Sequence, residues 1–156
     1  MSDKWIPSHA NPITPYLVVR DPHKMRTFYR AAFGFEPDVL VPGEKADDPP
    51  QHVGMSYNGK SIIMFSPEGS GPTKAARAMR CPATSGQPPP FSLYVYCADL
   101  DVLVAQARAQ GATIISPPQE MFWGDRIAVI HDLDGYEWTF ATFIKPFSGN
   151  KDPEAA

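Results

Sequence analysis

The chain has 156 residues, 43% of them hydrophobic and 12% aromatic, enough for one compact domain or two half-domains sharing a core, and well outside the range of disordered chains. A net charge of −3 and a pI near 5.7 leave no basic footprint for nucleic acid or for an anionic membrane surface. Nothing after Met1-Ser2-Asp3-Lys4 reads as a signal peptide, no apolar run approaches the roughly 18 residues of a membrane span, and the two cysteines, Cys81 and Cys97, read as free thiols of a reducing compartment, so a cytoplasmic location is expected.

Residues 1–12 read as a loose N-terminal arm, because Pro7 and Pro12 oppose regular structure. The first strand is expected over 13–20. Asp21-Pro22 then supplies an N-cap and a proline at the first helical position, and Met25, Phe28, Tyr29, Ala32 and Phe33 form one apolar stripe closed by Gly34. A short strand over 36–42 carries Pro37 and Pro42, which mark a sheet edge, and a polar loop covers 44–51. Strands over 52–57 and 60–66 flank Asn58-Gly59, the dipeptide preferred in two-residue hairpins. Residues 67–90, with six prolines and three glycines, read as a linker that encloses a short basic helix over 73–80. A fifth strand is expected over 91–97 and a second helix over 100–110, capped by Asp99 and carrying the stripe Leu100, Leu103, Val104 and Ala107. A sixth strand near 113–116 is expected to stop at Pro117-Pro118. The loop 119–125 follows, then strands over 126–131 and 136–143 around the turn Asp132-Leu133-Asp134-Gly135. The tail over 144–156 reads as disordered beyond Lys145.

The chain therefore says nearly the same thing twice: βαβββ over 13–66, a linker over 67–90, and βαβββ over 91–143. Thr14 and Ser92 lie 78 positions apart, as do Asp21 and Asp99. A repeat of half the chain length means two copies of one supersecondary unit, and the groove where they meet is a natural place for a ligand. Alternation along the strands gives two residue lists. One is almost wholly apolar: Leu17 and Val19, Ile63 and Phe65, Leu93, Val95 and Cys97, Trp138 and Phe140. Burying about nine such side chains at roughly 1.5–3 kcal/mol each provides the core that both helical stripes cover. The other list is mixed: Thr14, Tyr16 and Val18; Ile62, Met64 and Ser66; Ser92, Tyr94 and Tyr96; Glu137, Thr139 and Ala141. Such a face is either solvated or curved around something, and helices on one side only favour a concave cavity wall.

This organisation, with Phe28-Tyr29 in the first helix, Phe33-Gly34 at its end, the loop Met121-Phe122-Trp123-Gly124-Asp125-Arg126 and the segment His131-Asp132-Leu133-Asp134-Gly135-Tyr136-Glu137-Trp138, resembles the vicinal oxygen chelate superfamily of glyoxalase I, bleomycin resistance proteins and extradiol dioxygenases. The resemblance covers residues 13–143 and is nearest to the bleomycin-resistance-like branch, whose members often have no assigned reaction. It implies an α+β fold in which two βαβββ modules form a cupped, incomplete barrel, usually completed by homodimerisation. In the metal enzymes of the family four side chains at the cup's centre bind a divalent ion. Carried over by spacing, those positions are Thr14, Met64, Ser92 and Thr139, with Ile63 in place of Met64 if the register slips by one. Neutral hydroxyls and a thioether do not supply the carboxylate and imidazole ligands such ions need, so no metal and no other cofactor is expected.

Among the remaining candidates, Tyr16, Tyr94 and Tyr96 offer phenols inside the expected cup. Phe122 and Trp123 sit on a loop with a glycine hinge at Gly124, able to close over a planar ligand or to bury against a sheet edge or a dimer partner. Arg126 pairs with Asp125 or contacts an anion. Glu137 is the lone acid expected on the concave face, a weak candidate base whose bland alternative is a rim position or a pair with Arg126. His131 either lines the cup as a second weak catalytic candidate or hydrogen-bonds its own turn. No nucleotide-binding glycine motif, nucleophile elbow or paired-cysteine element is present. The favoured reading is a metal-independent binding protein holding a small aromatic or amphipathic molecule, with Thr14, Tyr16, Met64, Ser92, Tyr94, Tyr96, Phe122, Trp123, Arg126 and Thr139 lining its site. An enzyme of the same superfamily, working through Glu137, His131 or a non-standard metal site, is the alternative. A structural module with a filled cup is the third.

Overall fold

A computed structural model describes residues 5–147 and 149. Its elements are β1 (Tyr16–Val19), α1 (Pro22–Phe33), β2 (Glu36–Val41), β3 (His52–Tyr57), β4 (Lys60–Pro67), α2 (Lys74–Ala78), α3 (Pro82–Ser85), β5 (Leu93–Tyr96), α4 (Leu100–Ala109), β6 (Thr113–Glu120), β7 (Asp125–His131) and β8 (Glu137–Phe143). They form two four-stranded sheets with the same internal order, β1-β4-β3-β2 and β5-β8-β7-β6. In each, the first strand pairs in parallel with the last and the others pair antiparallel. The α+β duplication and the open, unclosed sheets agree with a cupped, incomplete barrel.

Local chemistry explains both long helices. Asp21 accepts the Lys24 N–H at 3.1 Å and Asp99 accepts that of Val102 at 3.1 Å, each satisfying a donor the helix cannot. Gly34 ends α1 in the left-handed region at φ 73°. Both expected stripes are buried, and of the apolar strand list Leu17, Val19, Ile63, Phe65, Val95, Trp138 and Phe140 enter one core, while Leu93 and Cys97 are only partly buried against it. That core joins the modules. Phe33 of α1 lies 4.7 Å, centroid to centroid, from Phe140 of β8, and Tyr29 lies 5.6 Å from Trp138.

Four expectations need correction. β6 does not stop at the prolines but runs through Pro117 and Pro118 to Glu120; it is an edge strand, and its pairing with β7 shifts register around that stretch. Within 67–90 the expected short helix forms as α2, but the segment also adds α3 and sends Cys81 into the core, its N–H bound by Glu68 Oε1 at 2.8 Å. The N-terminal arm is not loose where it is described: Ser61 N–H donates to the His9 carbonyl at 2.8 Å and Asn11 Nδ2 to that of Ser61 at 2.8 Å. The expected disorder of the tail falls mostly on residues outside those described, but Phe147 packs 5.8 Å from Phe122.

Candidate functional site

The strand face away from the helices carries the mixed side chains, and the tyrosines organise it. Tyr94 and Tyr96 of the edge strand β5 stand opposite Thr139 and Ala141 of β8. Their hydroxyls reach one strand further, to Asp125 at the start of β7: Tyr94 Oη donates to Asp125 Oδ2 at 2.6 Å and Tyr96 Oη to the same oxygen at 2.8 Å. Strands lie about 4.8 Å apart, so both side chains cross β8 to make these bonds. They cover what lies beneath: Thr139 is only 8% exposed and Ala141 is fully buried. Trp123 extends the chain, its indole N–H donating to Tyr94 Oη at 3.3 Å, and Phe122 stacks edge-on to Trp123 at 5.0 Å.

Module one repeats the device with different chemistry. Tyr16, the repeat equivalent of Tyr94, stands opposite Met64 of β4 and places its hydroxyl 2.9 Å from Nδ1 of His52, the first residue of β3. The heads of the two equivalent strands are thus an imidazole in one module and a carboxylate in the other.

Burial first, and then the Asp125 bond, push the Tyr94 phenol up to about 12; the Asp125 bond and then burial push Tyr96 up from its ordinary value. Both are neutral donors at neutral pH, not bases. Burial likewise raises the thiols of Cys81 and Cys97 above their ordinary range, which disfavours thiolate chemistry.

The turn Asp132-Leu133-Asp134-Gly135 is a lock between modules. Buried Asp132 accepts four bonds: Tyr29 Oη at 2.7 Å, Trp138 Nε1 at 2.9 Å, and the N–H groups of Asp134 and Tyr136 at 3.0 Å each. Burial raises its carboxyl although all four bonds pull it down. Asp134 takes Arg20 Nε at 2.8 Å and the Arg20 N–H at 2.9 Å, while Tyr136 Oη donates to the Val18 carbonyl at 2.7 Å.

A model of the Glyoxalase/Bleomycin resistance protein/Dioxygenase superfamily matches residues 8–140. The chain belongs to that superfamily. An uncharacterized protein of Mycobacterium bovis is 27% identical over 133 residues, covering 85% of this chain and 84% of its own. Among solved structures, TioX from Micromonospora sp. ML1 superposes with a TM-score of 0.66 at 23% identity, covering 86% of this chain and 99% of that one. FosX, a genomically encoded fosfomycin resistance protein of Listeria monocytogenes solved as a mutant with Mn(II) and 1S,2S-dihydroxypropylphosphonic acid, superposes at 0.58 with 12% identity over 81% of this chain and 85% of that one. At these identities the two structures establish the fold alone.

The four positions that the resemblance assigns to a metal ion, Thr14, Met64, Ser92 and Thr139, offer no carboxylate or imidazole to hold one. Ser92 Oγ and Thr139 Oγ1 lie 3.4 Å apart as neutral partners, and Thr139 is closed over by the tyrosines. Met64 lies half-buried beside Tyr16, and Thr14 is half-buried just ahead of β1. Ile63 points into the core, whereas Met64 stands opposite Tyr16 on the other face. Among the described residues no three His, Cys, Asp or Glu side chains gather to hold a metal ion.

Several expected site residues sit elsewhere than foreseen. Arg126 faces α4, not the cup or Asp125, and makes a bidentate pair with Asp101 at 2.9 and 3.0 Å. Glu137 is not the lone acid of its face, since Asp125 shares it, and it does not reach Arg126; it lies 3.2 Å from His131 Nε2, directly across the β7–β8 pair. Gly124 is a pinned turn rather than a hinge. Its carbonyl accepts the N–H groups of Ile144 and Lys145, its φ is 100°, and an added Cβ would strike the Lys145 carbonyl. Asp125 is the residue missed. Starting β7 one residue earlier would have placed it on the tyrosine face by strand parity alone.

Two clefts adjoin this face. One of about 330 Å3 runs along the β5 edge between the modules, lined by Pro15, Tyr57, Asn58, Ile62, Tyr94 and Tyr96 among others. The second, about 290 Å3, lies between β1 and the proline-rich segment, against Tyr16, Arg80, Phe91 and Tyr136. No described helix is long and apolar enough to cross a membrane.

Proposed function

We propose that this protein is a metal-independent binding protein, holding a small aromatic or amphipathic molecule on the tyrosine face of its second module and in the adjoining inter-module cleft. The observation that carries the reading is the fixed aromatic platform of Tyr94, Tyr96 and Trp123, tied to Asp125 and left open above. Rigid aromatic surface held by its own hydrogen bonds costs little ordering when a planar ligand stacks on it. Phe122, 79% exposed at the border of that surface, is a large apolar side chain with room for a partner above it. The protein is further proposed to work in the cytoplasm as a homodimer, supported by the exposed apolar edge strand β2 with Val39, Leu40 and Val41. A sequestering role of the resistance type fits this chemistry, without the Mn(II) that accompanies FosX.

A melt screen against aromatic compounds tests the reading. A ligand at 100 times its Kd adds about 2.7 kcal/mol of stability. The double substitution of Phe122 and Trp123 by alanine is expected to abolish that gain while the unliganded protein still folds. If no aromatic compound in a broad library shifts the melt, the proposal fails.

A second reading, proton-transfer catalysis, is favoured by one observation: the His131–Glu137 pair stands on the same strand face. It requires a turnover that Glu137→Gln removes, and a Glu137→Gln protein with undiminished turnover excludes it.

A further inference from the structure

The tyrosine platform has a sign. Asp125 is 4% exposed, and among the described residues no Lys, Arg or His lies within 4.0 Å of its carboxylate. Arg126, its neighbour in sequence, is turned away and spent on Asp101. Both phenols donate to one oxygen, Oδ2, the pattern of an ionised carboxylate accepting charge-assisted bonds. Every strong donor of the cluster is thereby committed inward: two phenol O–H groups to Asp125 and the Trp123 N–H to Tyr94. What faces outward is the π surface of Tyr94 and Tyr96, 46% and 54% exposed and set edge to face at 5.6 Å, with the carboxylate of Asp125 behind it and no salt-bridge partner within 4.0 Å among the described residues. A phenol donating to a carboxylate gains electron density in its ring, which strengthens the attraction of its face for a cation. An anion would find repulsion from Asp125, and the phenols and indole of the cluster are already committed as donors.

We propose that the ligand class of this site is an aromatic compound bearing a protonated amine, its ammonium group lying over the Tyr94 and Tyr96 rings in the field of Asp125. The inference rests on the binding function proposed above and adds to it the charge of the ligand.

Three probes of matched size separate the two ideas: 1-naphthylmethylammonium, 1-naphthylmethanol and 1-naphthylacetate, titrated into the intact protein by calorimetry. The ammonium probe is expected to bind about tenfold tighter than the alcohol, the ratio that about 1.4 kcal/mol of charge-dependent attraction gives, and the acetate is expected to bind weakest. In Asp125→Asn that ratio is expected to fall to within about threefold, whereas Asp101→Asn, which removes the same charge from the helix side, keeps it. Equal binding of ammonium and alcohol to the wild-type protein overturns the cation assignment and leaves the aromatic platform standing. An ammonium preference that persists undiminished in folded Asp125→Asn overturns the role of Asp125. Binding of none of the three overturns both ideas. If Asp125→Asn does not fold, the wild-type ratio alone decides.

Discussion

Asp125 and Asp132 are both buried, yet they serve opposite ends. Asp132 spends all its acceptor capacity on the protein, on two backbone N–H groups, one phenol and one indole. Asp125 takes two phenols on one oxygen and has no cation within 4.0 Å of its carboxylate among the described residues. The consequence for the phenols is a defined pH response. Tyr94, pushed from 10.0 up to about 12 in the folded state, stabilises the fold fully below its unfolded value, and that contribution is lost as pH rises through its folded one. Urea midpoints measured across this range are expected to fall from pH 10 to pH 12, and Tyr94→Phe is expected to flatten the fall; an unchanged slope would contradict the Asp125 bond. Neither aspartate's role is visible in the linear sequence. Asp125 reads naturally as the partner of Arg126, but consecutive strand residues point to opposite faces, so that pair is the one the fold forbids. The neutral hydroxyl and thioether character of Thr14, Met64, Ser92 and Thr139, by contrast, follows from residue type alone, because donor chemistry does not depend on conformation.

At the scale of elements, the two helices are written locally. Each has its aspartate cap, its apolar stripe and its stop within a dozen residues, and their boundaries were legible to within one position at each end. The strands are less so, because pairing decides them: β6 survives two prolines only because it lies at an edge. The Asp132 turn belongs to this scale too, since it fastens β8 to α1 and β1. Asp132→Ala leaves the Tyr29 hydroxyl, the Trp138 indole and two N–H groups without their acceptor, and is expected to cost about 3–5 kcal/mol, read as a lower urea midpoint. A cost near zero would mean that the turn folds independently of module one. Tyr29→Phe is expected to cost less, about 1 kcal/mol, and the two substitutions are expected not to add, since they share one bond.

At the scale of the whole molecule, two similar modules behave as one body because their aromatic cores interlock: Phe33 touches both Trp138 and Phe140 of the other module. Tryptophan fluorescence and far-ultraviolet circular dichroism are therefore expected to report a single coincident unfolding transition in urea, whereas two separated transitions would show that the modules fold alone. The sequence by itself determined the duplication, the helices, most of the apolar strand and helix faces that form the core, and the superfamily, since periodicity, capping and residue type act over short distances along the chain. Only the tertiary structure decided that Tyr94 and Tyr96 converge on Asp125, that Tyr16 meets His52, that Arg126 turns to Asp101 and that Cys81 of the proline-rich segment enters the core. Those pairings join residues 25 or more positions apart, and which of many possible partners a side chain meets is set by sheet register and packing, which no local pattern encodes.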